Sequence, residues 1–242
     1  MKKTQGEIFA IALKELFTPP MLKLAFLPFV VTVVLFYIVF FYFMSDVSLS
    51  SGTGVDIVDH ILQISAIAWI LTFLTYILGI FALFWLGLFV AVLIAGLFTP
   101  YIIKHLKHKR YVDINTNGYG TILNTLLFIL KTTFLMIFWF FILAPLYLIP
   151  VVNVVAINLP FFYFFHKMLH FDVASNMVSK EQQVVLKYRY NTNFRMYSLL
   201  LYLLSMIPFA VLILPVFYIL YIAINYFELI KNDNDKEPQL LK

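Results

Sequence analysis

The chain has 242 residues, of which 63% are hydrophobic and 12% are charged, and this composition excludes an ordinary water-soluble domain, in which these shares are about 45–50% and 25%. Its formal net charge of +5 does not indicate nucleic-acid binding, because the lysines and arginines lie in loops between apolar runs. The absence of cysteine excludes disulfides, thiolate metal sites and cysteine nucleophiles.

The first 19 residues predict a short amphipathic helix that lies in the membrane interface. One flank is apolar and the other carries Glu7, Lys14 and Glu15 at helical spacing, and a pair of prolines ends the pattern. A short amphipathic helix beside a spanning helix is typical of the interface plane. Residues 24–44 follow as an apolar run of full membrane length, and they predict the first spanning helix.

Residues 61–103 contain no Asp, Glu, Lys or Arg and predict the second spanning helix. The preceding loop contains three aspartates and no basic residue, whereas the seven residues that follow contain four Lys or Arg. Since basic loops stay in the cytoplasm, the two ends lie on opposite faces and the run crosses an odd number of times, most simply once. The N-terminus and the basic loops are therefore expected on the cytoplasmic side of a bacterial inner membrane.

Two apolar regions interrupted by proline, residues 121–165 and 196–227, predict helical hairpins. Both ends of the first region adjoin basic loops, so it must cross the membrane an even number of times. Its charge-free part leaves legs of about 15 residues, which is too short for two full spans. We therefore expect re-entrant or hemi-penetrating hairpins, with breaks at the prolines Pro145, Pro150, Pro208 and Pro215.

Together these elements predict an all-α integral membrane protein. Residues 1–230 form a single membrane domain, with an interfacial helix, two long transmembrane helices and two proline-broken hairpins. Residues 231–242 are predicted to form a polar cytoplasmic tail.

Polar residues in or beside the first hairpin are candidate anion ligands. Half-helices that begin inside the membrane direct positive dipole ends toward an anion. Asn153 and Asn158 follow the first break, where their amides either donate to an oxyanion or bond to carbonyls that the prolines leave free. Lys131 stands at the edge of an apolar run, where it either contacts the anion or extends to the interface.

Small residues form a stripe on the long helix at Gly87, Ala91 and Ala95. Such a stripe lets helices approach closely, and its partner is either the helix at 24–44 or a second subunit of a homo-oligomer.

The sequence predicts no catalytic residue, metal site or cofactor. Histidines 105 and 108, and 166 and 170, are spaced so that each pair shares a helix face, but the H-E-x-x-H pattern is absent. Phosphate-binding loops and nucleophile elbows are also absent. An enzyme is therefore not expected, and the predicted partners are the lipid bilayer and a small anion, with no nucleic acid.

The order of these parts resembles the CysZ-type sulfate permeases and the wider etoposide-induced-protein family. The likeness is carried by three stretches, Leu16 to Pro28, Leu148 to Tyr163 and Met206 to Pro215. In the family the first stretch typically reads Pro-Gly-Leu-Arg-Arg, and its arginine pair is associated with the anion. Here Leu22 stands in place of the first arginine and Lys23 in place of the second.

The resemblance implies uptake of a small inorganic anion, sulfate or sulfite, through a channel-like path that the hairpins form. It also implies that Lys23 contacts the anion, although a lysine lacks the planar fork with which arginine binds an oxyanion at two points. The alternative function is that of a non-transporting membrane scaffold or envelope-assembly protein of the same superfamily.

Overall fold

In a computed structural model, residues 3–46, 70, 73, 96–207 and 213–234 are described, and among them helices are present and strands are not. The chain divides into two compact units, residues 1–25 with 95–242, and residues 26–94. Several predicted features lie wholly or largely outside the described residues, namely the span at 61–103, the stripe of Gly87, Ala91 and Ala95, Pro208, and the tail at 231–242.

The first helix, α1 (Gln5–Leu16), begins at a capping box in which Thr4 and Glu7 bond to each other's backbone N–H. Its buried residues, Ile8, Ala12, Glu15 and Leu16, lie on one face. The expectation that Glu15 belongs to the polar flank is wrong, because this carboxylate is buried and forms ion pairs with basic residues of another helix. The interfacial position of α1 stays a prediction.

The second helix, α2 (Pro19–Asp46), starts earlier and ends slightly later than the predicted span at 24–44. Its two leading prolines lie in the first turn. Backbone N–H groups there have no acceptor within the helix, so the N–H that proline lacks costs no hydrogen bond. In the unit formed by residues 26–94, the rings of Tyr37 and Phe41 lie 4.5 Å apart on this helix.

Helices α4 (Ile122–Leu143) and α5 (Val152–Met177) pack against each other. A short 3-10 helix, Ala144–Leu148, and a turn join them. Pro145 lies in the 3-10 helix, and Pro150 precedes Val151, whose φ of 70° is reached by a β-branched residue only with strain. The sharp reversal at this point leads α5 back along α4, where Phe140 and Phe161 pack edge to face.

The expected leg length of about 15 residues is wrong, because α4 has 22 residues and α5 has 26. The ends of the charge-free sequence do not coincide with the ends of the helices. Helix α4 contains the exposed Lys131, and α5 continues beyond His166. At 1.5 Å per residue both helices exceed the hydrocarbon thickness of about 30 Å. Within the described residues, three stretches are long and apolar enough to cross a membrane, Leu123–Leu148, Val152–Met177 and Leu214–Asp233.

Helix α6 (Lys180–Ser205) begins at the predicted capping box, in which the side chains of Ser179 and Gln182 each bond to the other's backbone N–H. This prediction is confirmed. The helix is kinked at Tyr190, which has non-helical backbone angles.

Helix α7 (Leu214–Asn234) forms the core of its unit, because α1, α5, α6 and the basic helix α3 (Thr99–Arg110) all contact it. Phe9 of α1 packs on Phe217, and Tyr111 stacks on Phe227 with ring centroids 4.4 Å apart. Pro215 is the second residue of α7 and therefore lies in its first turn. Protein surrounds this helix, although its sequence is as apolar as that of a lipid-facing span.

Candidate functional site

Polar side chains of α5 and α6 meet along the contact between the two helices. Tyr202 donates its hydroxyl hydrogen to Oδ1 of Asn158 at 2.8 Å. Two turns further along α5, Nδ1 of His166 lies 2.8 Å from Oγ of Ser198, and Nε2 of His170 lies 3.0 Å from the same oxygen. We call these five residues the polar seam. The seam residues on α5 are eight and then four positions apart, and those on α6 are four positions apart. This spacing places them on one face of each helix.

Hydrogen bonding around Ser198 determines which nitrogen of His170 carries a hydrogen. The backbone carbonyl of Phe194 lies 3.2 Å from Nε2 of His170 and can only accept, so this nitrogen carries the hydrogen. Ser198 then accepts from His170, and its one hydrogen can be donated to Nδ1 of His166. In neutral His166 the remaining N–H is at Nε2, for which the described residues supply no acceptor. In this tautomer the N–H at Nε2 of His166 is available to an oxyanion.

Three cations lie near the His166 end of the seam. Lys167, Lys187 and Arg195 are the charged neighbours of His166, and Lys187 and Arg195 are also the charged neighbours of Lys167. We call these three residues the cationic group. Within the described part of the chain no carboxylate forms an ion pair with any of them, whereas Glu15, Glu228 and Asp233 are paired with other cations.

Like charges that lie together without a carboxylate create a positive potential, which attracts an anion from solution. The half-buried Lys167 also lies over the ring of Tyr163, with Nζ 5.6 Å from the ring centroid. Its charge is therefore held close to the helix contact. The arrangement places a group of cations beside a line of neutral polar side chains.

A comparison with protein families matches residues 8–215 to the family described as Sulfate transporter CysZ/Etoposide-induced protein 2.4. The chain belongs to this family. The match confirms the resemblance seen in the sequence, and its range includes the whole polar seam. No curated protein and no solved structure matches the chain in the corresponding comparisons.

Of the candidate anion ligands in this family member, only Asn158 lies in the polar seam. Its Nδ2 also donates to the carbonyl of Val154 at 2.7 Å, which is the backbone role foreseen as one alternative. Asn153 is half-buried in the first turn of α5, where its backbone N–H donates to the carbonyl of Ile149. Lys23 and Lys131 are exposed, and no hydrogen bond or ion pair in the described ranges joins them to the seam.

His166 and His170, one of the two pairs predicted to share a helix face, have rings 4.8 Å apart. Ser198, Tyr202 and the cationic group were not among the predicted site residues. The sequence contains a pattern that predicts the residues on α6. Polar residues recur every three or four positions through an otherwise apolar region, at Arg195, Ser198, Tyr202 and Ser205. That spacing indicates a polar stripe on one helix face.

Proposed function

We propose that this protein transports a small inorganic anion, sulfate or sulfite, across a membrane along the polar seam. The observation that carries the proposal is the cationic group, which lies beside neutral hydroxyl, imidazole and amide groups and has no carboxylate partner in the described residues. Family membership supports the substrate class, because the family description names a sulfate transporter.

In the proposed path, positive charge attracts the anion and hydrogen-bond donors solvate it. Lys167, Lys187 and Arg195 raise the local concentration of a dianion at the entrance. Deeper in the seam, the N–H at Nε2 of His166 replaces water around the oxyanion without holding it by a buried charge. The hydroxyls of Ser198 and Tyr202 donate to the ion by exchanging their hydrogen bonds to His166 and Asn158. Weak binding at successive donors lets an ion enter and also leave, as conduction requires.

The proposed setting is a bacterial inner membrane, with the N-terminus and the basic loops in the cytoplasm. The distribution of Lys and Arg supports this orientation, since they follow the predicted span at 61–103 and lie between the predicted hairpins. In this orientation the cationic group faces the cytoplasm and forms the inner end of the anion path.

The test is uptake of labelled sulfate by proteoliposomes that contain the purified protein. We expect protein-dependent uptake above that of empty vesicles, and competition by unlabelled sulfate and sulfite at constant ionic strength. Vesicles that contain correctly folded protein and take up no more sulfate than empty ones would overturn transport. That result would favour the scaffold function instead.

A further inference from the structure

The exposed side of α3 and the end of α1 carry a basic surface that is separate from the polar seam. Its cations are the residues Lys14, Lys104, Lys107, Lys109 and Arg110, which we call the α3 basic surface. In the described part of the chain, Lys109 and Arg110 form ion pairs with Glu15, while the other three pair with no carboxylate. Two of these five cations therefore have a carboxylate partner in the described residues, and it is the same one.

The buried Glu15 holds part of this surface in place. Its side chain is 1% exposed, and its oxygens lie 2.8 Å from Nζ of Lys109 and 2.7 Å from Nε of Arg110. Both cations lie in the last turn of α3, where the helix dipole favours positive charge. The charge at this end of the helix is thus fixed in position before any ligand binds.

Exposed apolar side chains adjoin these cations. Leu13 is 40% exposed and Phe17 is 65% exposed, and they flank Lys14 and Glu15 at the end of α1. Tyr101, on α3 itself, is 52% exposed. Cations beside exposed apolar and aromatic groups are typical of the boundary between headgroups and acyl chains, where a free aqueous anion would leave the apolar groups uncovered.

We propose that the α3 basic surface binds the headgroups of anionic phospholipids, with the cations on the phosphate and Leu13, Phe17 and Tyr101 at the acyl boundary. Charge complementarity identifies the occupant, because four Lys or Arg within seven residues beside an apolar run is the pattern that binds anionic lipid. This site shares no residue with the polar seam, so it does not depend on the proposed transport.

The test compares lipid binding by the full-length wild type and a Lys104→Gln/Lys107→Gln variant. Each purified protein, in a zwitterionic detergent, is titrated with phosphatidylglycerol or phosphatidylcholine, and bound lipid is counted by native mass spectrometry. We expect the wild type to prefer phosphatidylglycerol. The variant should bind it roughly 25-fold more weakly, because each lysine near an anionic surface contributes about a factor of five.

A Lys180→Gln/Arg189→Gln variant is the matched control, since it removes two exposed charges from α6 and should bind phosphatidylglycerol like the wild type. Equal binding of the two lipids by the wild type would overturn the proposal. Equal losses in the two variants would do the same. So would displacement of phosphatidylglycerol by millimolar inorganic phosphate at constant ionic strength, because the surface would then be a site for free anions.

Discussion

Replacing Arg195 by alanine should lower the initial rate of sulfate uptake by about tenfold at subsaturating sulfate. Two unit charges 4 Å apart in water interact by about 1 kcal/mol, a dianion doubles this, and screening by salt reduces it. Arg195 is exposed and forms no ion pair in the described residues, so its loss should not disturb folding. Uptake by proteoliposomes, normalised to the amount of reconstituted protein, measures the effect.

Arg189 provides the control for this prediction, because it is an exposed arginine on the same helix and forms an ion pair with Asp233 at 2.8 Å. Arg189→Ala should leave sulfate uptake unchanged. Arg195→Lys should retain most of the uptake, since the proposed entrance requires a positive charge and not the planar guanidinium group of arginine. Equal uptake by the Arg195→Ala variant and the wild type would show that the cationic group does not attract the transported ion.

Replacing Glu15 by glutamine should lower the free energy of unfolding by about 2 kcal/mol. The change removes two charge-assisted hydrogen bonds from a buried position and leaves the cations of α3 without their carboxylate. The loss is smaller than for a fully buried ion pair because Lys109 and Arg110 are partly exposed. Intrinsic tryptophan fluorescence during heating should show a midpoint lower by about 6 °C.

The stabilisation by Glu15 should depend on pH in a defined direction. Burial raises the pKa of this carboxyl, but hydrogen bonds and charges from Lys109 and Arg110 outweigh burial and hold the pKa below its ordinary value of 4.5. A carboxylate with a lowered folded-state pKa stabilises the fold above its unfolded pKa and stops doing so as the pH falls through the folded value.

The midpoint difference between the wild type and Glu15→Gln should therefore be constant at neutral pH and narrow below 4.5. Asp113→Asn is the control, because this exposed aspartate forms no ion pair within the described residues and its replacement should leave the midpoint unchanged. A difference that persists undiminished in acid would mean that packing at position 15, and not its charge, accounts for the stability.

Much of the helical organisation could be predicted from local signals. The family was recognisable from its proline-containing stretches, and the S-x-x-Q pattern at Ser179 correctly predicted the start of α6. Such features depend on residues within a few positions of each other, so a single sequence reveals them.

The lengths of α4 and α5 could not be predicted from the extent of charge-free sequence. A charged residue does not end a helix when its side chain lies on an exposed face, as Lys131 does on α4. The burial of α7 within the protein could also not be predicted from the sequence, because an apolar helix is stable both in a protein core and in lipid.

The polar seam depends on contacts between residues far apart in the chain. His166 and Ser198 are 32 positions apart, and Asn158 and Tyr202 are 44 apart. Each residue alone resembles an isolated polar group in an apolar run. Only the packing of α5 on α6 brings them together, and the burial of Glu15 arises in the same way from the approach of α1 to α3.

The most direct measurement of anion passage along the polar seam is labelling of single introduced cysteines with an anionic, water-soluble thiol reagent. The chain contains no native cysteine, so Ser198→Cys and Tyr202→Cys can be compared with Leu199→Cys and Leu203→Cys on the exposed side of α6. We predict that the two seam cysteines react, that sulfate slows their reaction, and that labelling stops sulfate uptake, while labelling at 199 or 203 does not. Seam cysteines that stay unreactive while sulfate uptake continues, or whose modification leaves uptake unchanged, would contradict the account.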